Sequence, residues 1–208
     1  ALGVALRSPA LPCGHRTIIA AARRAPTPYL SGKYGTKEYW DSMYAGKGEA
    51  TDDGLPADRY SWYCGWRELE PFWAELVPET SSNILIPGVG NDATLPDMHD
   101  GGYRNLTAFD YSADAVVRAS DLVGKRNITL LEADATALPF SDDAGFDAVL
   151  DKGALDAIGI HSAAALSSAV SELGRVLRPG GIVVSISRAL EANVLLGAFE
   201  DGWEVLRD

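Results

Sequence analysis

FDAVLDKGALDAIG, residues 146–159, begins as a strand and ends on an acid and a base. Phe146, Ala148, Val149 and Leu150 form a short apolar run; Asp151 and Lys152 follow, and then Gly153. Strands covered on both faces read as near-continuous apolar runs, because neither face meets water. Polar residues at the end of such a run therefore serve whatever lies beyond the strand's carboxyl end. Four other runs share the form: residues 83–87 (NILIP), 105–110 (NLTAFD), 127–134 (NITLLEAD) and 181–187 (GIVVSIS). Helix-like segments lie between them. Ser112 is placed to cap a helix through Ala115, Val116, Val117 and Ala119. Ser162 is placed to cap another, in which Leu166, Val170, Leu173 and Leu177 fall at i, i+4, i+7 and i+11. RPGG then turns the chain into the fifth run. Strands alternating with helices predict an α/β fold with a doubly wound, mostly parallel sheet.

Ahead of the first strand the texture differs. TKEYWDSMY, residues 36–44, opens a helix with Thr36 as its cap. Residues 47–61 read as a polar loop punctuated by Gly and Pro. Trp62, Trp66, Leu69 and Trp73 then recur at helical spacing. Four of the five tryptophans fall between positions 40 and 73. Residues 1–37 hold six Lys or Arg and no Asp or Glu, whereas the remainder holds 12 basic against 29 acidic residues. An Arg-rich, acid-poor head is the composition either of an organellar transit peptide or of a disordered leader. Residues 1–34 are assigned to that leader and residues 35–208 to one domain. The expected location is cytoplasmic, or a mitochondrion or plastid if residues 1–28 are a transit peptide.

Charge and composition narrow the partners. A formal net charge of −11 opposes general nucleic-acid binding, which needs a basic surface to displace counterions. It suits a small ligand or a basic protein partner. No apolar run approaches the ~18 residues of a membrane-spanning helix, so no membrane partner is expected. Two cysteines, Cys13 and Cys64, form no CxxC pair, and His15, His99 and His161 are scattered. Neither a disulfide framework nor a metal site follows from such spacing.

Ligands of doubly wound sheets bind outside the carboxyl ends of the strands. After the first run come Gly88 and Gly90, residue types that let the chain turn tightly and let a ligand approach the backbone. After the second stand Asp110 and Tyr111. Asp110 lies 20 residues beyond Gly90, the spacing at which an acid accepts both hydroxyls of a ribose. Asp134 and Ala135 end the third run, where a carboxylate can accept from an exocyclic amine such as that of adenine. Asp151 and Lys152 end the fourth. Each ending alone is an ordinary turn or cap; four around one crevice point to a nucleotide-like ligand. Residues 88–93 formally fit G-x-G-x-x-G/A, which keeps NAD open. Only about 20 residues follow the fifth run, too few for a second mononucleotide half and a substrate domain.

These motifs resemble class I S-adenosylmethionine-dependent methyltransferases, a Rossmann-like family. ILIPGVGN resembles the first cofactor loop, AFDYS the ribose acid, EADA the adenine contact and LRPGGIVVSIS the turn into strand five. EYWDSMY, YSWY and DKGALDA further resemble the branch containing lysine methyltransferases of translation elongation factor one-alpha, over about residues 36 to 187. The resemblance implies S-adenosyl-L-methionine as cofactor. It would be held by Trp40, Tyr44 and Trp62 from the N-terminal segment and by Gly88, Gly90, Asp110, Tyr111, Asp134, Ala135 and Lys152 from the strand ends. Aromatic faces attract a sulfonium by cation–π interaction. It also implies methyl transfer to a protein lysine, with a basic protein substrate such as a translation elongation factor. Methylation of a small molecule by the same fold and a non-catalytic scaffold are the alternatives.

Asp151 either faces the incoming nucleophile, as a catalytic residue, or pairs with Lys152. Lys152 is expected to act through its backbone, because an ammonium beside a sulfonium would repel it. Two departures from the family stand out. Asp92 occupies a position where Ser is usual. Residues 202–208 read as a sixth strand, with nothing left for the family's antiparallel seventh between strands five and six. The sheet is therefore expected to lack its last strand and to leave an unpaired edge. The Asn/Asp-Pro-Pro-aromatic motif of nucleic-acid N-methyltransferases is absent from the tip of the fourth strand.

Overall fold

A computed structural model describes residues 16–22, 32–46, 59–142, 144–199 and 203–206. Residues 1–15 and 23–31 of the expected leader, and residues 47–58 of the polar loop, lie outside the described residues. Among the described residues seven strands make one sheet: β1 (Arg16–Ala22), β2 (Ile84–Pro87), β3 (Leu106–Asp110), β4 (Thr129–Glu132), β5 (Phe146–Lys152), β6 (Leu177–Ser187) and β7 (Trp203–Leu206). Their order is β4-β3-β2-β5-β6-β1-β7, and every pairing is parallel. From β2 the chain winds outward to β4, then returns to β5 on the other side of β2. The loops after β2 and β5 part there, and a doubly wound sheet opens its ligand crevice at that point.

The helices are α1 (Lys37–Tyr44), α2 (Trp66–Leu76), α3 (Thr94–Asp100), α4 (Ala113–Val123), α5 (Ala154–His161), α6 (Ala163–Val176) and α7 (Ala192–Gly197). Successive strand residues point to opposite faces, so each run feeds two cores. Ile84, Ile86, Ala108 and Leu150 pack with Leu69 and Trp73 of α2 and Met98 of α3. Leu85, Phe109, Val149 and Val183 pack with Leu155 of α5 and Leu166, Val170 and Leu173 of α6. Each fully buried Leu in these layers contributes about 2 kcal/mol. Ser162 caps α6 as expected, accepting from the Ala165 N–H at 3.2 Å. Thr36 and Ser112 occupy the N-cap positions of α1 and α4 without a side-chain cap bond. Among the described residues no helix is long and apolar enough to cross a membrane.

The tryptophan stripe is corrected at its start. Only Trp66, Leu69 and Trp73 belong to α2; Trp62 precedes the helix. RPGG falls within the bounds of β6 and carries its irregularity: Gly180 stands at φ +80°, and the register against β5 shifts between Phe146 and Ala148 before the regular ladder resumes at Ile182.

The far edge of the sheet differs more. Residues 16–22 do not lie outside the fold as part of a leader. They form β1, paired with β6 from Thr17 opposite Ile182 to Ala22 opposite Ser187, and with β7 from Arg16 opposite Trp203 to Ile19 opposite Leu206. The place between the methyltransferase sheet's fifth and sixth strands is thus filled, in parallel, by the N-terminal segment. Thr17, Ile18 and Ile19 are β-branched and favour a strand; the surrounding arginines concealed this by dominating the charge pattern. Proline in a strand with neighbours on both sides removes a ladder bond, which is why it is confined to edge strands, strand starts and bulges. Ile18→Pro is accordingly expected to lower the thermal midpoint by several degrees. An unchanged midpoint in a calorimetric melt would place these residues outside the sheet.

Candidate active site

The carboxyl ends of the strands open into a cavity of about 580 Å³. Trp40, Tyr44, Trp62, Gly88, Asp110, Tyr111, Asp134, Ala135 and Lys152 line it together. Gly90 and Asp151 are not part of its lining.

Asp110, at the end of β3, is 4% exposed. Its Oδ2 accepts the Gly90 N–H and its Oδ1 the Ser112 N–H, each at 3.0 Å. Burial pushes the carboxyl up to about 6, and those backbone donors oppose the rise. Gly90 therefore acts through Asp110. Its φ of +53° excludes most side chains, and a Cβ there would collide with the Tyr44 hydroxyl. Gly88, at φ +59°, is needed because a Cβ would stand 2.6 Å from that of Ala154, at the start of α5. Both glycines permit close approach within the protein, where the sequence suggested approach by a ligand. Asp134 accepts the N–H and the hydroxyl of Thr136 on Oδ1, both at 2.8 Å.

An aromatic wall stands opposite the strand ends. The Trp40 indole N–H donates to the Tyr34 carbonyl at 2.6 Å. Its ring stacks on Tyr44 at 5.8 Å between centroids, and Trp62 meets it edge-on at 5.9 Å. The segment carrying Trp62 is tied to the loop after β2. The Tyr60 N–H donates to the Asn91 carbonyl at 3.1 Å, and the Ser61 hydroxyl to Asp92 Oδ1 at 2.7 Å. Arg59 pairs with Asp97 on α3 at 3.0 Å.

Asp92 explains its own departure from the family pattern. Its Oδ2 pairs with Lys152 Nζ at 2.8 Å, and the lysine is 7% exposed. Lys152 also donates to the Cys64 carbonyl at 2.7 Å and to the Thr94 hydroxyl at 2.8 Å. The ammonium is neutralised and turned to protein acceptors. Asp92→Ser leaves that buried charge with two neutral acceptors only, and breaking a buried pair is costly. A loss of about 3 kcal/mol in denaturant unfolding is expected; no loss would mean that the pair is dispensable.

The reading of Asp151 is corrected. It is fully buried, accepting the Ser185 hydroxyl on Oδ2 at 2.5 Å and the Leu155 N–H of α5 on Oδ1 at 3.1 Å. Burial pushes its carboxyl up to about 7. It neither pairs with Lys152 nor reaches the cavity, because neighbours along a strand point to opposite faces. Asp151 anchors β5 to β6 and to α5.

Among the cavity-lining residues to which the sequence assigned no role, two form a pair. Tyr63 and Asp156 meet at 2.6 Å, hydroxyl to carboxylate. Both lie within motifs already quoted, YSWY and DKGALDA, which were the available signal. Among the described residues no group of three or more His, Cys, Asp or Glu is arranged to hold a metal.

A parallel sheet that reverses between β2 and β5, an acid after its second core strand and an aromatic wall over the first loop give the chain the fold and the site layout of the class I methyltransferases. S-adenosylmethionine, the cofactor of that family, suits the residues of the lining: the Asp110 carboxylate can accept hydroxyl donors, and the aromatic faces can attract a sulfonium. Residues 85–185 match the family described as "Methyltransferase domain". The structure described as "Conversion of a Disulfide Bond into a Thioacetal Group during Echinomycin Biosynthesis" shares the fold, with a TM-score of 0.61 and 22% identity over 80% of this chain and 79% of that one.

More particularly, the chain is similar to "eEF1A lysine and N-terminal methyltransferase" of Xenopus laevis, 32% identical over 187 residues. The match covers 86% of this chain and 26% of the relative. "EEF1A lysine methyltransferase 4" of Mus musculus is 33% identical over 180 residues, covering 78% of this chain and 64% of the relative. The chain thus spans about a quarter of the first relative's length and under two thirds of the second's.

Proposed function

We propose that this protein transfers a methyl group from S-adenosylmethionine to a lysine side chain of a protein, with elongation factor one-alpha as the first candidate. The observation that carries the reading is that Trp40, Trp62 and Tyr63 line one cavity with Lys152 and Gly153 at the tip of β5, Tyr63 lying against that tip. When bound, the cofactor supplies an electrophilic methyl group on a good leaving group. The remaining task is alignment, which the packed rings and the Asp92–Lys152 tie can provide. An amine entering an aromatic, water-poor channel loses hydration, and its pKa falls toward the neutral, nucleophilic form. A net charge of −11 favours encounter with a basic protein surface. The names of the two relatives support the same substrate class.

The test is to incubate the protein with isotopically labelled cofactor and purified elongation factor one-alpha, then map methyl-lysine by mass spectrometry. A labelled lysine supports the reading. Label in small molecules of a cell extract, with the protein substrate unlabelled, favours a small-molecule methyltransferase. Cofactor binding without any transfer favours the scaffold. NAD titrated in parallel closes the remaining nucleotide alternative.

A further inference from the structure

Tyr63 is held in three ways that cofactor binding does not account for. Its φ of +66° is the left-handed conformation, which costs a non-glycine residue about 1 kcal/mol or more and tends to persist where function needs it. Its ring lies against the tip of β5: a Cβ on Gly153 would stand 3.0 Å from Cε2 and 3.3 Å from the hydroxyl oxygen. Its hydroxyl donates to Asp156 Oδ2 at 2.6 Å.

Acceptor capacity around that tip is nearly exhausted. Asp156 is 2% exposed. Besides Tyr63 it accepts the Ser187 hydroxyl and the N–H groups of Arg188, Ala189 and Leu190, the last three at 2.9 to 3.1 Å. A carboxylate offers about four lone-pair sites, so five donors leave no room for a ligand. Asp92 already serves Ser61, Thr94 and Lys152. Asp151 is sealed beneath α5. The Tyr63 oxygen, with its hydrogen fixed on Asp156, keeps lone pairs free to accept. Burial also raises the pKa of its phenol, so the group stays protonated and accepts a hydrogen bond without acting as a base.

Resting on the methyltransferase reading, we propose that the Tyr63 hydroxyl oxygen receives an N–H of the incoming amine at the tip of β5. That bond turns the nitrogen lone pair away from Tyr63 and into the cavity. It selects an acceptor that still carries N–H hydrogens, a primary or partly methylated amine.

Sinefungin and S-adenosylhomocysteine separate this idea from the reading beneath it. Sinefungin bears an amine on the carbon that replaces the sulfur, whereas S-adenosylhomocysteine has a bare thioether there. Both are titrated calorimetrically into the wild-type and Tyr63→Phe proteins; phenylalanine keeps the ring, so the comparison isolates the oxygen. The wild type is expected to prefer sinefungin by about tenfold, the size of one hydrogen bond from a charged donor. Tyr63→Phe should remove most of that preference and change S-adenosylhomocysteine affinity by less than about threefold. An equal ratio in both proteins overturns the proposal. So does a wild type without the preference, a result that requires no variant to fold. A folded wild type that binds neither compound overturns the methyltransferase reading instead.

Discussion

Asp110→Ala is expected to reduce affinity for S-adenosylhomocysteine by at least about a hundredfold. Two ribose hydroxyls donating to an ionised carboxylate are worth about 1.5 to 3 kcal/mol each, and every 1.4 kcal/mol is tenfold. The substitution also releases the Gly90 and Ser112 N–H groups that shape the first and second loops. Calorimetric titration of the folded variant measures the loss, and unchanged affinity would show that the ribose is held elsewhere. The wild-type protein should carry the same information in its pH dependence. Burial raises Asp110 from an ordinary 3.8 to about 6, so the carboxylate is ionised above that value and protonated below it. Cofactor-product affinity should therefore weaken as pH falls through about 6. Fold stability has the opposite sign. The native state takes up this proton before the unfolded chain does, so Asp110 contributes a stability that declines as pH rises from about 3.8 to about 6.

Asp156→Ala should be the most damaging single change outside the hydrophobic core. The Asp156 carboxylate gathers Tyr63 from the segment before α2 and three successive backbone amides after β6. Removing it leaves those amides, the Ser187 hydroxyl and the Tyr63 hydroxyl without their acceptor. At 1 to 3 kcal/mol for each unsatisfied buried group, a loss of about 5 kcal/mol is expected. A protein of ordinary marginal stability would then melt near room temperature. Denaturant unfolding of Asp156→Ala beside Asp156→Asn checks the account: the amide keeps one acceptor oxygen and should recover part of the loss. If both variants unfold at the wild-type midpoint, the clasp has no structural weight.

Much of the architecture was legible in short windows. Four of the five apolar runs became β2, β3, β5 and β6, because a strand covered on both faces must be largely apolar; the fifth became the edge strand β4, whose Thr129 and Glu132 are exposed. Their polar endings marked the crevice because loops at the carboxyl edge have nowhere else to point. The tryptophan-rich segment announced an aromatic element, although only the structure separated Trp66 and Trp73, which fill the core, from Trp62, which faces the cavity. The short helix α5 escaped notice. Its apolar residues show no clear helical period, and its N-cap is Gly153 at φ +87°, without a side chain to mark the start.

Sequence by itself determined the parallel sheet, the acid that ends β3 and the chemical class of the ligand. Each rests on residue type and local period, which physical chemistry translates directly into burial and direction. Tertiary structure alone decided which charges meet. Lys152 abandons its neighbour Asp151 for Asp92, because adjacent residues in a strand face opposite ways. Tyr63 finds Asp156 across 93 positions of chain, and β1 enters the sheet between strands that arise more than 150 residues later. Such pairings depend on how the elements pack together, and no local pattern of residues records that.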